Sequence, residues 1–255
     1  MQKDLLWLMK AHMHKDAMTK LLPMPALLLP LDTGCGDSAK KVLLSTKMAK
    51  QIIAQGAEAL LTRKNSIVIK DRIKKFYRLP FLDEKLRKQR TKKEIKLLEK
   101  ASKLIPVPKI IKTADCQISL EFIKGKKLSE FLDDLADNIK ACKMIGINIA
   151  RLHDEDIIHG DLTTSNMIYV KSRKNNNSNG RVFFIDFGLG FESSRIEDKA
   201  TDLHVLKEAL EARHFSHSKD FYKAVLEGYK SSKNSQLVLN QLKKVELRGR
   251  YKAQY

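Results

Sequence analysis

Cysteine is scarce in this chain. Three residues in 255, Cys35, Cys116 and Cys142, are too few, too widely spaced and of the wrong parity for a disulfide framework or a zinc-ligand pattern, so a reducing compartment is expected. Long hydrophobic runs are also missing. The most apolar stretch, from Leu21 to Leu31, is about half the length that spans a bilayer and contains Pro23, Pro25 and Pro30. It makes a poor secretory leader as well, because a charged segment precedes it and no small-residue cleavage site stands out. Internal repeats are absent. Acidic residues are outnumbered, 30 against 49 Lys and Arg, which leaves a net charge of +19. Such a field favours polyanionic partners, nucleic acid first, with a solvated lysine-rich surface as the plainer explanation. What is present, 43% hydrophobic and 31% charged residues, reads as globular, with one domain or two closely packed lobes.

The charge is uneven. Residues 70–103 hold 14 Lys and Arg against 5 Asp and Glu, and a second basic cluster closes the chain at Lys243, Lys244, Arg248, Arg250 and Lys252. Residues 1–47 carry five of the eight methionines, lack a clear period and are expected to be a disordered extension. Regular patterning begins after Met48. Short β-branched or apolar runs predict strands at 51–54, 59–63, 67–70, 109–113 and 117–123. A helical pattern runs from Leu82 to Lys103, within which Thr91-Lys92-Lys93-Glu94 has capping-box spacing. The rest is mostly helical, with Ile139 to His153 placing Ile139, Cys142, Ile145, Ile149 and Leu152 on one face. A strand pair at 167–170 and 182–185 flanks an Asn-rich segment, 172–181, expected to be a flexible loop. The layout predicts an α+β, two-lobed protein-kinase-like fold: a β-rich small lobe with one helix over 48–123, a helical lobe over 124–246, and a basic tail over 247–255.

Phosphoryl transfer needs cations for phosphate charge, oxygen ligands for magnesium and a carboxylate near the attacking oxygen. Each is present in order. His159-Gly160-Asp161-Leu162-Thr163-Thr164-Ser165-Asn166 places a carboxylate, Asp161, five residues before an amide, Asn166, in a loop between a helix and a strand. Asp161 is expected to orient or deprotonate the nucleophile, and Asn166 to bind metal. Asp186, in Ile185-Asp186-Phe187-Gly188, is the expected main magnesium ligand, and Lys70, ending a strand, is expected to face the phosphates of ATP. Singly, each has a plain reading as turn former, helix cap or solvated cation; their ordered conjunction does not. Glu94 is the expected carboxylate partner of Lys70, its alternative being a helix cap. The phosphate loop, Gln55-Gly56-Ala57-Glu58, has a single glycine, so backbone cradling of the nucleotide is reduced. Glu58 would repel phosphate unless it meets a cation or metal. Asp202 either caps a helix start or hydrogen-bonds the backbone of the His159–Asp161 loop.

At these residues the chain resembles the small atypical kinases of the KEOPS (EKC) complex, the PRPK family. The resemblance rests on 55–59, 68–70, Tyr77-Arg78-Leu79-Pro80, Arg90-Thr91 with Glu94, 152–166, 185–189, 197–203 and Leu247-Arg248-Gly249-Arg250, and covers about residues 48–252. It implies an ATPase or serine/threonine kinase that uses ATP and Mg2+ in support of a threonylcarbamoyl transferase acting on tRNA. By motif, Lys70, Glu94, Asp161, Asn166 and Asp186 would be its functional residues. Leu120, Glu121 and Ile123 would belong to the adenine-binding hinge, and Arg248, Arg250, Tyr251 and Lys252 would meet the transferase or tRNA. A second small KEOPS subunit would sit on the N-lobe, and the compartments implied are cytoplasm and nucleus. The resembling region starts at Met48, which leaves that residue as initiator or residues 1–47 as a lineage-specific extension.

Two departures from ordinary protein kinases are legible without the family. Gly160 stands where they place an arginine that senses a phosphorylated activation loop, and thirteen residues separate Gly188 from Asp202, too few for that loop plus a peptide platform. A truncated activation segment implies no switching by loop phosphorylation and a weak hold on peptides. The competing readings are a catalytically silent pseudokinase scaffold, against which the complete Lys70, Asp161, Asn166 and Asp186 set argues, and a small-molecule kinase of the aminoglycoside or choline type, which would need an added substrate-binding domain.

Overall fold

Alternation in the first strands sets the geometry of everything that follows. The computed structural model describes residues 51–56, 58–171 and 180–250, with the side chains of 249 and 250 excepted. The expectations for 1–47, for Ala57, for most of the Asn-rich segment and for Arg250, Tyr251 and Lys252 lie outside the described residues. Five strands, β1 (Gln51–Gln55), β2 (Ala59–Lys64), β3 (Ile67–Arg72), β4 (Ile110–Ala114) and β5 (Gln117–Glu121), form one antiparallel sheet in the order β1-β2-β3-β5-β4. Lys64 pairs with Ile67 across a two-residue turn, and Asn65 carries its positive φ of 56°. Asparagine tolerates that left-handed conformation where a β-branched residue would not.

β3 lies at the centre of the sheet, with Lys70 opposite Leu61 on one side and Ile118 on the other. Side chains two apart on a strand share a face, so Lys70 and Arg72 point the same way. That face is covered by α1 (Pro80–Ala101), whose start is fixed by a proline in the first turn, where its missing N–H costs nothing. The helix buries Thr91, Glu94, Leu97, Leu98 and Ala101, a single stripe at helical spacing. Fully burying Leu97 and Leu98 contributes roughly 1.5–3 kcal/mol each, enough to fix the rotation of the helix and thus the direction of Glu94. The capping-box reading at Thr91 is corrected here: α1 begins at Pro80, Thr91 is interior, and Glu94 caps nothing.

The helical lobe follows a short β6 (Lys126–Lys127) and α2 (Leu128–Phe131). Its centre is α3 (Asn138–Asp154), packed against α5 (Ser218–Tyr229), while α4 (Ile196–Arg213) packs against α6 (Ser235–Arg250). Ile145, Ile149, Leu152, Leu203, Leu206, Phe221, Val225 and Tyr229 are almost fully buried in that core. Between α3 and α4 the chain runs β7 (Ile157–Ile158), a 3-10 turn (Thr164–Asn166), β8 (Met167–Val170), β9 (Arg181–Phe184) and β10 (Phe191–Glu192). β10 pairs back on β7, which closes the short segment after Gly188 without room for a longer loop. The predicted strand pair holds, with β9 shifted one residue earlier.

One expectation fails at the C-terminal end. The expected boundary puts residues 247–255 in a tail beyond the helical lobe, yet α6 continues through Arg248 and Gly249 to Arg250. Arg248 is ion-paired to Glu197 on α4, and packing of α6 along α4 outweighs the modest helix penalty of one glycine.

Candidate active site

Three segments bring the charged groups together between the sheet and the helical lobe. Lys70 Nζ lies 2.7 Å from Glu94 Oε1 and 2.6 Å from Asp186 Oδ1. The pairing expected of Glu94 is therefore what the geometry gives, and Lys70 also reaches the residue expected to hold magnesium. Arg72 adds a contact that strand alternation alone would have located: its Nη2 lies 2.6 Å from Glu94 Oε2. Glu94, 1% exposed, thus has one oxygen on each of two buried cations. Sequence reasoning missed Arg72, and the signal was its position two residues after Lys70 on β3.

Asp186 sits at φ +64°, a strained setting for a non-glycine residue, held because Gly188 N–H donates to Oδ1 at 3.1 Å and Lys70 holds the same oxygen. Burial works against its ionisation and is the largest influence, but the nearby Lys70 charge and these hydrogen bonds outweigh it and keep the carboxyl below its ordinary range. Its side chain remains 45% exposed. A Cβ at position 188 would come within 2.9 Å of Asp186 Oδ1 and 3.5 Å of Lys70 Nζ, so glycine is what lets the backbone pass this close to the ion pair.

The His159–Asn166 loop is clamped from several directions. Asn166 Nδ2 donates to Asp161 Oδ2 at 2.9 Å and to the Asp161 carbonyl at 3.0 Å, which turns the amide oxygen the other way. Ile185 N–H donates to the Asn166 carbonyl at 2.9 Å, joining the loop to the Asp186 segment. His159 is buried, and desolvation pushes its pKa down despite nearby carboxylates. As a neutral ring its Nε2–H donates to the Ile185 carbonyl at 3.2 Å, while Nδ1 accepts from Asp161 N–H at 3.3 Å. Its ring lies 4.6 Å from that of Phe187. Histidine here is a spacer between two loops, and no contact of its ring points to a reacting group.

Asp202 resolves in favour of the supporting role. It lies inside α4, away from the helix start, and accepts the amides of His159 and Gly160 at 2.9 Å each. Gly160 itself has φ +77°, and a Cβ there would meet the Leu189 carbonyl at 2.5 Å. The absence of an arginine at this position therefore has a steric cause.

The remaining predicted residues are placed less tightly. Gln55 ends β1 and is exposed; Gly56 N–H closes the following turn on the Ala59 carbonyl at 3.0 Å. Glu58 does meet a cation, being ion-paired to Arg90 on α1. Leu120 and Glu121 end β5, and Ile123 is buried just beyond them, so these three form the connection between the lobes. Much of the basic run is consumed internally: Lys70, Arg72, Arg78, Arg87, Lys88, Arg90, Lys96 and Lys100 all have carboxylate partners.

Comparison with known proteins agrees with this geometry. The RIO domain family model matches residues 47–192. KEOPS complex subunit Bud32 of Pyrococcus abyssi is 36% identical over 220 residues, covering 83% of this chain and 96% of that protein. The probable bifunctional tRNA threonylcarbamoyladenosine biosynthesis protein of Methanobrevibacter smithii is 39% identical over 80% of this chain, which spans 37% of that longer protein. Among solved structures, the Rio2 kinase–ADP/Mg2+–phosphoaspartate complex from Chaetomium thermophilum superposes with a TM-score of 0.54 at 15% identity, over 79% of this chain and 70% of that one, a likeness of fold alone. With the two-lobed kinase-like fold, the His-Gly-Asp and Asp-Phe-Gly loops and this breadth of match together, the chain belongs to the RIO-domain family and, within it, to the Bud32 group of kinase-like proteins.

Proposed function

We propose that this chain binds ATP with magnesium between its lobes and hydrolyses it, or passes its terminal phosphoryl group to a serine or threonine, as the kinase-like subunit of a KEOPS assembly that makes threonylcarbamoyladenosine in tRNA. The observation that carries the reading is the convergence of Lys70, Glu94 and Asp186 on one ion-pair cluster beside the Asp161–Asn166 loop. The donor set suits magnesium. Asp186 has a second carboxylate oxygen outside its Lys70 and Gly188 bonds, and the Asn166 amide oxygen is turned away from Asp161. Magnesium commonly takes one or two such hard oxygen ligands and completes its shell with water and phosphate oxygens. When bound, it supplies charge neutralisation at the phosphates.

The chain's own groups account for the rest. Lys70, aligned by Glu94, presents its ammonium to phosphate oxygens; Arg72 keeps Glu94 from neutralising Lys70 completely, because one carboxylate is divided between two cations. Asp161 accepts the proton-bearing side of the attacking water or hydroxyl. The new P–O bond forms as the bond to the β-phosphate oxygen breaks, and the proton passes to the Asp161 carboxylate. The Glu58–Arg90 pair removes the repulsion an isolated acid would exert at the phosphate loop. The short segment from Gly188 to α4 offers no bed for a peptide, which favours hydrolysis or a bound partner as acceptor.

The partner reading is supported by a display of apolar side chains before and on α1. Phe76, Tyr77, Leu79 and Phe81 are each at least three-quarters exposed, on a segment pinned by buried Asp83, which pairs with Arg87 and Arg78 and accepts Lys75 N–H. Exposed aromatics held rigidly are characteristic of a docking surface. The relatives' names support the class of partner: a KEOPS complex subunit, and a probable bifunctional tRNA threonylcarbamoyladenosine biosynthesis protein. The basic C-terminal end, Arg248 with residues 250–252, is assigned to the transferase or tRNA. No helix among the described residues is long and apolar enough to cross a membrane. The placement in cytoplasm and nucleus is supported by similarity to eukaryotic EKC/KEOPS subunits.

A reconstitution tests the reading. Magnesium-dependent ADP release should occur, and threonylcarbamoyladenosine should form efficiently when this chain, the transferase and tRNA are combined. Undiminished tRNA modification on omitting this chain would contradict the proposal.

A further inference from the structure

α4 holds the catalytic loop at two places. Asp202, near its middle, takes the His159 and Gly160 amides at the front of the loop. One residue past its last turn, His214 reaches the back. The His214 ring is buried; its Nδ1 is paired with Asp133 Oδ2, and its Nε2 lies 3.1 Å from Thr164 Oγ1. Thr164 opens the 3-10 turn that ends at Asn166. The backbone of that turn is bonded locally, Asn166 N–H to the Thr163 carbonyl at 3.0 Å, whereas the Thr164 hydroxyl is bonded to His214.

The chemistry gives the line a direction. An aspartate on Nδ1 fixes the proton there in the neutral ring, so Nε2 offers its lone pair and accepts the Thr164 hydroxyl proton. Carboxylate, imidazole and hydroxyl then stand in the order found in hydrolytic triads. Thr164 is 2% exposed, however, and its oxygen has no path to a substrate. With its histidine and threonine buried and its aspartate 42% exposed, such a line orients a loop rather than attacking a bond. It is anchored further by Arg213 Nε, which donates to the Ser129 carbonyl at 2.9 Å, and by His217, whose Nδ1 lies 3.4 Å from the other oxygen of Asp133.

We propose that Asp133, His214 and Thr164 form a positioning relay that sets the Asn166 end of the catalytic loop and thereby the strength of its metal site. The proposal rests on reading Asn166 as a metal ligand. Thr164 and His214 are positioning residues, and neither touches the reacting atoms.

The test is the magnesium dependence of ATP binding, by calorimetric titration of the full chain, and of ATP hydrolysis, with melting temperature recorded alongside. Thr164→Val, which keeps shape and removes the hydroxyl, should raise the half-saturating magnesium concentration by about threefold to tenfold, the scale of one lost hydrogen bond. His214→Asn retains a donor for Asp133 but loses the acceptor for Thr164, and should reproduce that rise. The double variant should be no worse than either single one, and Thr164→Ser should return the parent's magnesium dependence. Should Thr164→Val not fold, His214→Asn and Thr164→Ser carry the same comparison. A folded Thr164→Val with unchanged magnesium dependence, even with a lowered melting temperature, would make the line a structural strut and overturn the relay. Activity surviving in Asp161→Ala would instead remove the site reading itself, so the two failures are distinguishable.

Discussion

Replacing Asp161 or Lys70 with alanine should leave a folded protein whose ATP turnover has fallen by about 10²-fold or more. Both side chains are assigned to the transition state, and the contacts around them explain why folding survives. Among the described residues the Asp161 carboxylate accepts a side-chain hydrogen bond from Asn166 alone, and Asn166 keeps its second bond to the Asp161 backbone carbonyl. Lys70 is more deeply set, but its loss does not strand a buried charge, because Arg72 still holds Glu94 at 2.6 Å and Asp186 is partly open to water. Phosphate release under saturating ATP and magnesium, with melting curves on the same preparations, checks this. Unchanged turnover by both variants would end the assignment of the site.

Glu94→Ala should behave differently and cost stability as well as activity. The substitution leaves Arg72, 6% exposed, and Lys70, 8% exposed, without their shared carboxylate; Arg72 Nε already lacks a partner among the described residues. Removing one side of a buried ion pair typically costs about 3–5 kcal/mol. For a domain of this size that lowers the melting temperature by roughly 6–20 °C, at about 2–4 °C per kcal/mol. Chemical denaturation of wild type, Glu94→Ala and Lys70→Ala gives the comparison. A loss below about 1 kcal/mol for Glu94→Ala, or a larger loss for Lys70→Ala, would mean that Glu94 does not balance two cations.

How much of this was legible in the sequence depends on whether the deciding contact is local. The longer strands and helices were, because periodicities of two and 3.6 residues report burial directly, and their ends moved by a residue or two; the two-residue strands β6, β7 and β10 and the last turn of α6 were not foreseen. The loop motifs were, because Asp161 with Asn166, and Asp186 with Gly188, each make their defining contacts within five residues. The Lys70–Glu94 pair was, since Glu94 on the helix was expected to face inward with Ile95 and Leu98; Leu98 is buried with it, whereas Ile95 is only half-buried and Leu97 takes its place. The rest depends on chain segments far apart in sequence. Thr91 resembled a cap because the true helix start at Pro80 lies upstream in a segment with no capping side chain. Gly160 read as a missing regulatory arginine, although the Leu189 carbonyl, supplied by another loop, forbids a side chain there. Arg248 read as part of a basic tail, whereas it lies in a helix and pairs with Glu197 on α4. His214 carried no motif, and its partners at 133 and 164 come from two other elements.

If Asp186 and its neighbours make a magnesium–nucleotide site, ATP affinity must depend on magnesium. Calorimetric titration of the purified chain should show magnesium tightening ATP binding by at least about tenfold. In Asp186→Asn that gain should disappear while magnesium-free binding is kept, since Lys70 and the inter-lobe connection remain. An ATP affinity indifferent to magnesium in the wild-type chain, or a full magnesium gain retained by Asp186→Asn, would contradict the account.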